Sequence, residues 1–136
     1  MTDAIQDATL KQFFFDVAEL PGYTIADMAG EGEGAQFMYD LFGRDLLTKT
    51  IVATPEYSVF HETAKPGEQV KPHRHGTHQL DFVLRGELLF GNRRVGPGMG
   101  FFNPDSLYAW RAGDDGAEWL EIHFGQPGIY TDRRED

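Results

Sequence analysis

Two histidines, His73 and His75, stand two residues apart in the stretch Gly67 to Gly86, GEQVKPHRHGTHQLDFVLRG. On an extended strand, positions i and i+2 point to one face, so both imidazoles can reach a single ion. Gln79 follows four residues on, and Asp81 two further. If a strand runs through Gln79, Asp81 and Val83, these three also share a face. Neutral imidazole donates to Zn, Fe, Mn, Ni and Cu alike. Three protein donors with an open position make a catalytic site, and a closed four-donor set makes a structural one. His73 and His75 with either Gln79 or His61 therefore form a candidate site for a divalent metal ion (Zn, Fe, Mn or Ni), with room for water and substrate.

The elements that must position these groups are strands. Lys65-Pro66-Gly67 is a turn, and Arg85-Gly86-Glu87 marks a second, so two strands fold back with polar ligands on their inner face. Elsewhere Gln12–Val17, Ala35–Asp40, Leu46–Ala53, Tyr57–Thr63, Glu87–Phe90, Gly100–Asn103, Tyr108–Arg111 and Glu118–Phe124 read as strands. Met1–Lys11 reads as loose chain or a helical turn, and Tyr23–Met28 as a short strand or turn. Ala29–Gly34 reads as a flexible acidic loop, and the tail QPGIYTDRRED as charged and exposed. Many short strands between Gly, Pro and Asp turns, without a long helix, indicate an all-β sandwich or barrel.

The spacing of the first stretch resembles the first motif of the cupins. Gly67, five residues, His73-x-His75, three residues, Gln79, six residues and Gly86 fit that motif at every interval, with Gln where the family has Glu. The second cupin motif is matched at Gly98 and Pro104 only. Ser106 replaces its Gly, Ala109 its His and Gly113 its Asn. The resemblance spans Val59 to Phe124. It implies a jelly-roll barrel of antiparallel strands with a short irregular N-terminal segment. The corresponding division is an N-terminal extension with outer strands over 1–34, the barrel over 35–126 and a charged tail over 127–136. It also implies a homodimer. His73 and His75 stand at the family's ligand positions, Gln79 is a substituted ligand, and Ala109 cannot be one. Gln in place of Glu leaves the ion more of its charge, hence a stronger Lewis acid. Its amide can alternatively bind a substrate oxygen.

Other side chains compete for roles. Asp81, expected to point inward, is either a general base or a partner that hydrogen-bonds a ligand histidine. His61 shares a strand face with Tyr57 and Val59 and is read as a cavity residue, a third ligand or proton carrier; the alternative is a histidine in the wall or at a subunit contact. His78, in the turn before Gln79, is a lesser ligand candidate. His123 lies in EWLEIHF, where Leu120, Ile122 and Phe124 make the apolar face. That reading puts His123 with Trp119 and Glu121 on the other face, at the surface or an interface. Phe101, Phe102, Trp110 and Trp119 read as core or pocket lining. Tyr108, beside the missing histidine position, is kept as a catalytic pocket residue.

Composition bounds the function. A chain of 136 residues with 40% hydrophobic residues and 11 Phe folds as one domain. Its net charge of −10 disfavours nucleic acid and anionic membrane surfaces as partners. No Cys is present, which suits a reducing, cytoplasmic compartment. MTDAIQDATL lacks the pattern of a signal peptide. Three functions fit a small-molecule ligand in such a barrel. One is a metal enzyme for isomerisation, elimination or cyclisation of a carbonyl or enol substrate. The second is a metal-dependent dioxygenase. The third is a binding module whose metal site has decayed. Because imidazole ligands must be neutral, metal affinity is expected to weaken as pH falls through about 6.5.

Overall fold

Alternation along two long strands decides what the interior holds. The computed structural model describes residues 10–134. Its frame is one antiparallel sheet of β1 (Tyr23–Thr24), β2 (Leu47–Ala53), β3 (Ser58–Ala64), β4 (Gln69–His73), β5 (Gln79–Phe90), β6 (Arg93–Val95), β7 (Gly100–Asn103) and β8 (Tyr108–His123). β8 is the hub. Its second half runs between β3 and β5, and its first half pairs with β4. β5 carries β7 beside its first half and β6 beside its second. The sheet does not close; its path ends at β1 and β6.

Tyr108, Trp110 and Ala112 are buried along the first half of β8, and Ala117, Trp119, Glu121 and His123 along the second. The phase slips by one residue between them, where β5 also changes register near Gly86. Gly86 (φ 71°) and Gly116 (φ 72°) meet there. A Cβ on Gly86 would lie 2.0 Å from the Gly116 carbonyl oxygen, so only glycine allows the two strands to bend together. The apolar core beside this bend is Val83, Leu88, Ala112 and Ala117, with Trp110 and Trp119 edge to face at 5.1 Å.

Two helices cover the sheet. Thr24 and Asp27 form a reciprocal capping box that starts α1 (Ile25–Ala29). α2 (Glu33–Phe42) replaces the expected strand at Ala35–Asp40; of the loop expected at Ala29–Gly34, 30–32 is present, and Glu33 and Gly34 begin the helix. Ala35, Met38 and Phe42 recur at helical spacing, and Gly43, at φ 70°, ends the helix. The expected strand at Gln12–Val17 is also absent. That segment is unpaired, leaves Phe14 90% exposed, and leads into a single 3₁₀ turn at Val17–Glu19. The expectation for Met1–Lys11 falls largely on residues 1–9, outside the described residues. The tail was expected to be charged and exposed; residues 130–134 are exposed, but 125–132 runs back past Arg74 and His75, just beyond β4, with Tyr130 bridging to Arg74. No helix among the described residues is long and apolar enough to cross a membrane.

Candidate metal centre

His73 closes β4, and His75 follows in the turn. Gln79 opens β5 directly opposite His123 of β8, and Asp81 lies opposite Glu121. Residues opposite one another in antiparallel strands project to the same face. The strand beside Gln79 and Asp81 therefore adds a carboxylate and an imidazole to the inner face. All four side chains are buried.

One atom each from His75, Glu121 and His123 lie within 4.8 Å of one another. The ring of His73 is 4.9 Å from that of His75. Hydrogen bonds set which ring nitrogen faces inward. His73 Nδ1–H donates to the Lys71 carbonyl at 2.7 Å, and His75 Nδ1–H to the Gly128 carbonyl at 2.8 Å. Each thereby keeps its lone pair on Nε2. His123 Nε2–H donates to Glu121 at 2.8 Å, while its Nδ1 meets the Thr77 hydroxyl at 2.8 Å. The other Glu121 oxygen accepts the Trp119 indole N–H at 3.1 Å.

A second chain of bonds leaves this cluster. The Tyr108 hydroxyl donates to His75 Nε2 at 2.9 Å and accepts from Gln79 Nε2 at 2.9 Å. Gln79 Nε2 also donates to Asp81 Oδ1 at 3.0 Å. Asp81 Oδ2 is buried with no partner. Burial and the nearby Glu121 charge push the Asp81 carboxyl well above its ordinary range. Burial likewise pushes the Tyr108 phenol well above 10. Burial lowers His75, and lowers His73 to about 4. Burial alone would raise Glu121. Hydrogen bonds from His123 and Trp119, with the adjacent imidazoles, overrule it and hold this carboxyl at about 2. The centre is thus a carboxylate beside neutral His73 and His75 rings.

These groups line a cavity of about 240 Å³ whose remaining wall is mostly apolar, including Ile25, Met38, Phe42, Trp110 and Ile129. No Lys or Arg among the described residues lines it. Glu62 does. Thr48 donates to its Oε1 at 2.7 Å, and burial with the Glu121 charge raises its carboxyl well above the ordinary range.

The structure brings His73, His75 and Tyr108 to the cavity wall. Gln79 and Asp81 point inward but are not on that wall. Gln79 holds Tyr108, and Asp81 holds Gln79 rather than a ligand histidine. His61 is a correction. Phe60 and Glu62 take the inner face of β3, which turns His61 outward beside Val59 and Leu120, 3.4 Å from Glu118. It can be neither ligand nor proton carrier for this cavity. His78 is exposed against Phe102. His123 is the second correction, being 1% exposed and central to the site. The alternation in EWLEIHF was right, but its polar side faces in. Glu121-x-His123 repeats the spacing of His73-x-His75, and that signal was available in the sequence.

No family model matches the chain, and no curated protein matches it. Solved structures match its fold. An acetylacetone dioxygenase-like protein from Methylibium petroleiphilum superposes with a TM-score of 0.67 at 8% identity, over 95% of this chain and 90% of that one. The polyketide cyclase RemF from Streptomyces resistomycificus gives 0.55 at 16% identity, over 67% and 73%. A protein with a cupin-like fold from Ralstonia eutropha gives 0.53 at 13% identity, over 62% and 64%. The chain has the cupin, or double-stranded β-helix, fold. At these identities the likeness speaks for fold and leaves chemistry to the site.

Proposed function

We propose that this protein is a divalent-metal enzyme that moves a proton on a small, uncharged carbonyl compound, in an isomerisation, elimination or cyclisation through the enol. The observation that carries this reading is the convergence of His75, Glu121 and His123 within 4.8 Å in an apolar cavity. The donor set fits an ion. The neutral lone pair of His75 is on Nε2, and Glu121 is ionised. Were His123 to serve as a donor through Nε2, its ring hydrogen would sit on Nδ1, where the Thr77 oxygen can accept it. His73 stands ready as a fourth donor. Mixed imidazole and carboxylate donors suit Zn, Fe, Mn or Ni.

A divalent ion bound there supplies Lewis-acid polarisation of a carbonyl oxygen. The chain's own residues do the rest. Tyr108 spends its hydrogen on the His75 lone pair; once that lone pair is engaged, the phenol is left to donate to a substrate oxygen. Gln79, braced by Asp81, fixes the phenol oxygen from behind. Glu62 is the second carboxyl on the wall, and burial with the Glu121 charge raises it, which makes its ionised form a stronger base. In its ionised form it takes the proton from the carbon next to the carbonyl. The absence of cationic lining among the described residues favours uncharged substrates over carboxylates or phosphates.

The test is exchange of α-hydrogens for deuterium in a panel of small ketones with zinc-loaded protein, followed by proton NMR. Glu62→Gln and Tyr108→Phe are each expected to slow exchange by about 100-fold. Exchange that is equal in both variants and the parent would overturn the assignment. A dioxygenase is the second reading. Two histidines and one carboxylate are the donor set of non-haem Fe(II) oxygenases, and the acetylacetone dioxygenase-like protein shares this fold along nearly its whole length. Oxygen uptake by Fe(II)-loaded protein, without ketone exchange, would favour it.

A further inference from the structure

We propose that the C-terminal strap, 125–132, is a lid that positions His75 for the ion, so that lid closure and metal binding reinforce each other. The inference rests on the metal-centre reading above. Pro127, Gly128 and Ile129 of the strap form part of the cavity wall. Gly128 makes a double contact with His75: its N–H donates to the His75 carbonyl at 2.8 Å, and its carbonyl accepts the His75 Nδ1–H at 2.8 Å. Two residues on, Tyr130 and Arg74 exchange both backbone bonds at 2.9 Å. The strap therefore sets the tautomer and ring plane of one metal donor. If the strap lifts, the Nδ1–H loses its acceptor and Nε2 loses its aim.

A clasp of side chains holds the strap down. Arg74 Nη1 pairs with Asp105 at 3.1 Å, Nη2 pairs with Asp132 at 3.1 Å, and Nε donates to the Asp132 carbonyl at 2.7 Å. The same guanidinium lies over the Tyr130 ring at 4.9 Å. Asp105 also accepts the Gly76 N–H at 2.8 Å, so both neighbours of His75 are tied to one carboxylate. Gly76 has φ 76°, and a Cβ there would lie 2.9 Å from the Tyr130 ring, so the strap sits as close as glycine permits. Yet the strap is no buried core element. Tyr130 is 46% exposed, and the Asp132 side chain 72%. A segment held by a few bonds and an ion-pair clasp, over a cavity that a substrate must enter, opens at lower cost than the sheet beneath it. Coupling between ion and lid is then reciprocal. Whatever factor lid opening costs the ion, the ion must return in lid protection.

The experiment uses the full chain with zinc alone as the probe. Affinity is read by calorimetry, and hydrogen exchange at the Gly128 and Tyr130 amides reports the lid. Arg74→Met removes the whole clasp and is expected to weaken zinc about 10-fold or more, the scale for loss of a ligand's supporting bond. Asp132→Asn removes one exposed arm without threatening the fold, and is expected to weaken zinc by a smaller factor in the same direction. In the parent, zinc should slow exchange at both amides, and less so in each variant. Zinc bound equally by all three proteins, or amide exchange unchanged by bound zinc, would overturn the lid while leaving the metal centre standing. A parent that binds no zinc would overturn both.

Discussion

Glu121 is the only ionised donor among the three that converge, and removing its charge should be felt even without metal. Its two carboxylate oxygens accept from two buried donors, His123 Nε2–H and Trp119 Nε1–H. Gln at this position keeps the volume but offers one acceptor oxygen, so one donor is left unpaired. The carboxyl sits at about 2, against 4.5 for an ordinary Glu. The whole difference corresponds to about 3 kcal/mol; with His75 neutral at neutral pH only the hydrogen-bonded part remains, about 1–3 kcal/mol. For a chain of this length the unfolding entropy converts that to a fall in Tm of roughly 4–10 °C. The sign with pH follows from the depressed value. Stabilisation by Glu121 is present above pH 4.5 and is lost as pH falls toward about 2. The assay is thermal unfolding by circular dichroism of parent and Glu121→Gln in chelator, from pH 8 to pH 3. A gap that is steady from pH 8 to 6 and narrows below 4.5 is expected. A variant melting within ~2 °C of the parent at pH 7 would refute the claim that Glu121 is a buried, doubly bonded anion.

Asp81 should behave in the opposite sense. Its carboxyl is raised by burial and has an oxygen without a partner, so it costs stability as pH rises above about 3.8. Asp81→Asn is expected to melt above the parent at pH 8, and the advantage should vanish near pH 4; an equal or lower Tm at pH 8 would count against it. His73, lowered to about 4 by burial, should remain neutral at pH 5 by nitrogen NMR. The stability it contributes, about 3 kcal/mol by the same conversion, is lost as pH falls from 6.5 to 4. This shifts its expected protonation well below the 6.5 of a free imidazole, and a titration near 6.5 would show that the ring is solvated. His61→Ala should leave zinc affinity within twofold, because that ring faces Glu118 outside the barrel; a tenfold loss would return it to the site.

Much of the fold was legible because its punctuation is chemical. Gly67 and Gly98 have positive φ, and the turns read there separate real strands, whereas Gly86, read as a turn, lies inside the continuous strand β5 and bends it against β8. The histidine pair was legible for the same reason, since β-strand parity needs no tertiary knowledge. Facing was harder. Outer-face Leu80, Phe82 and Leu84 are 37%, 42% and 44% exposed, while Glu62, Gln79, Asp81, Glu121 and His123 are inside. A functional interior reverses the rule that apolar residues face in, so His61 and His123 exchanged places relative to expectation. The helix over Glu33–Phe42 was hidden by Gly32 and Gly34, which suggested a loop. The strap was hidden because its charged residues read as solvated, although Asp132 is there to hold Arg74.

The central claim is that His75, Glu121 and His123 together hold a divalent ion. Metal content by plasma mass spectrometry, on chelator-free protein reconstituted with zinc and desalted, tests it most directly. The parent and His61→Ala should each retain close to one ion per chain, and His75→Ala and His123→Ala should retain almost none while keeping the parent's circular dichroism. If His123→Ala keeps a full equivalent, or the parent keeps none, the centre described here is wrong.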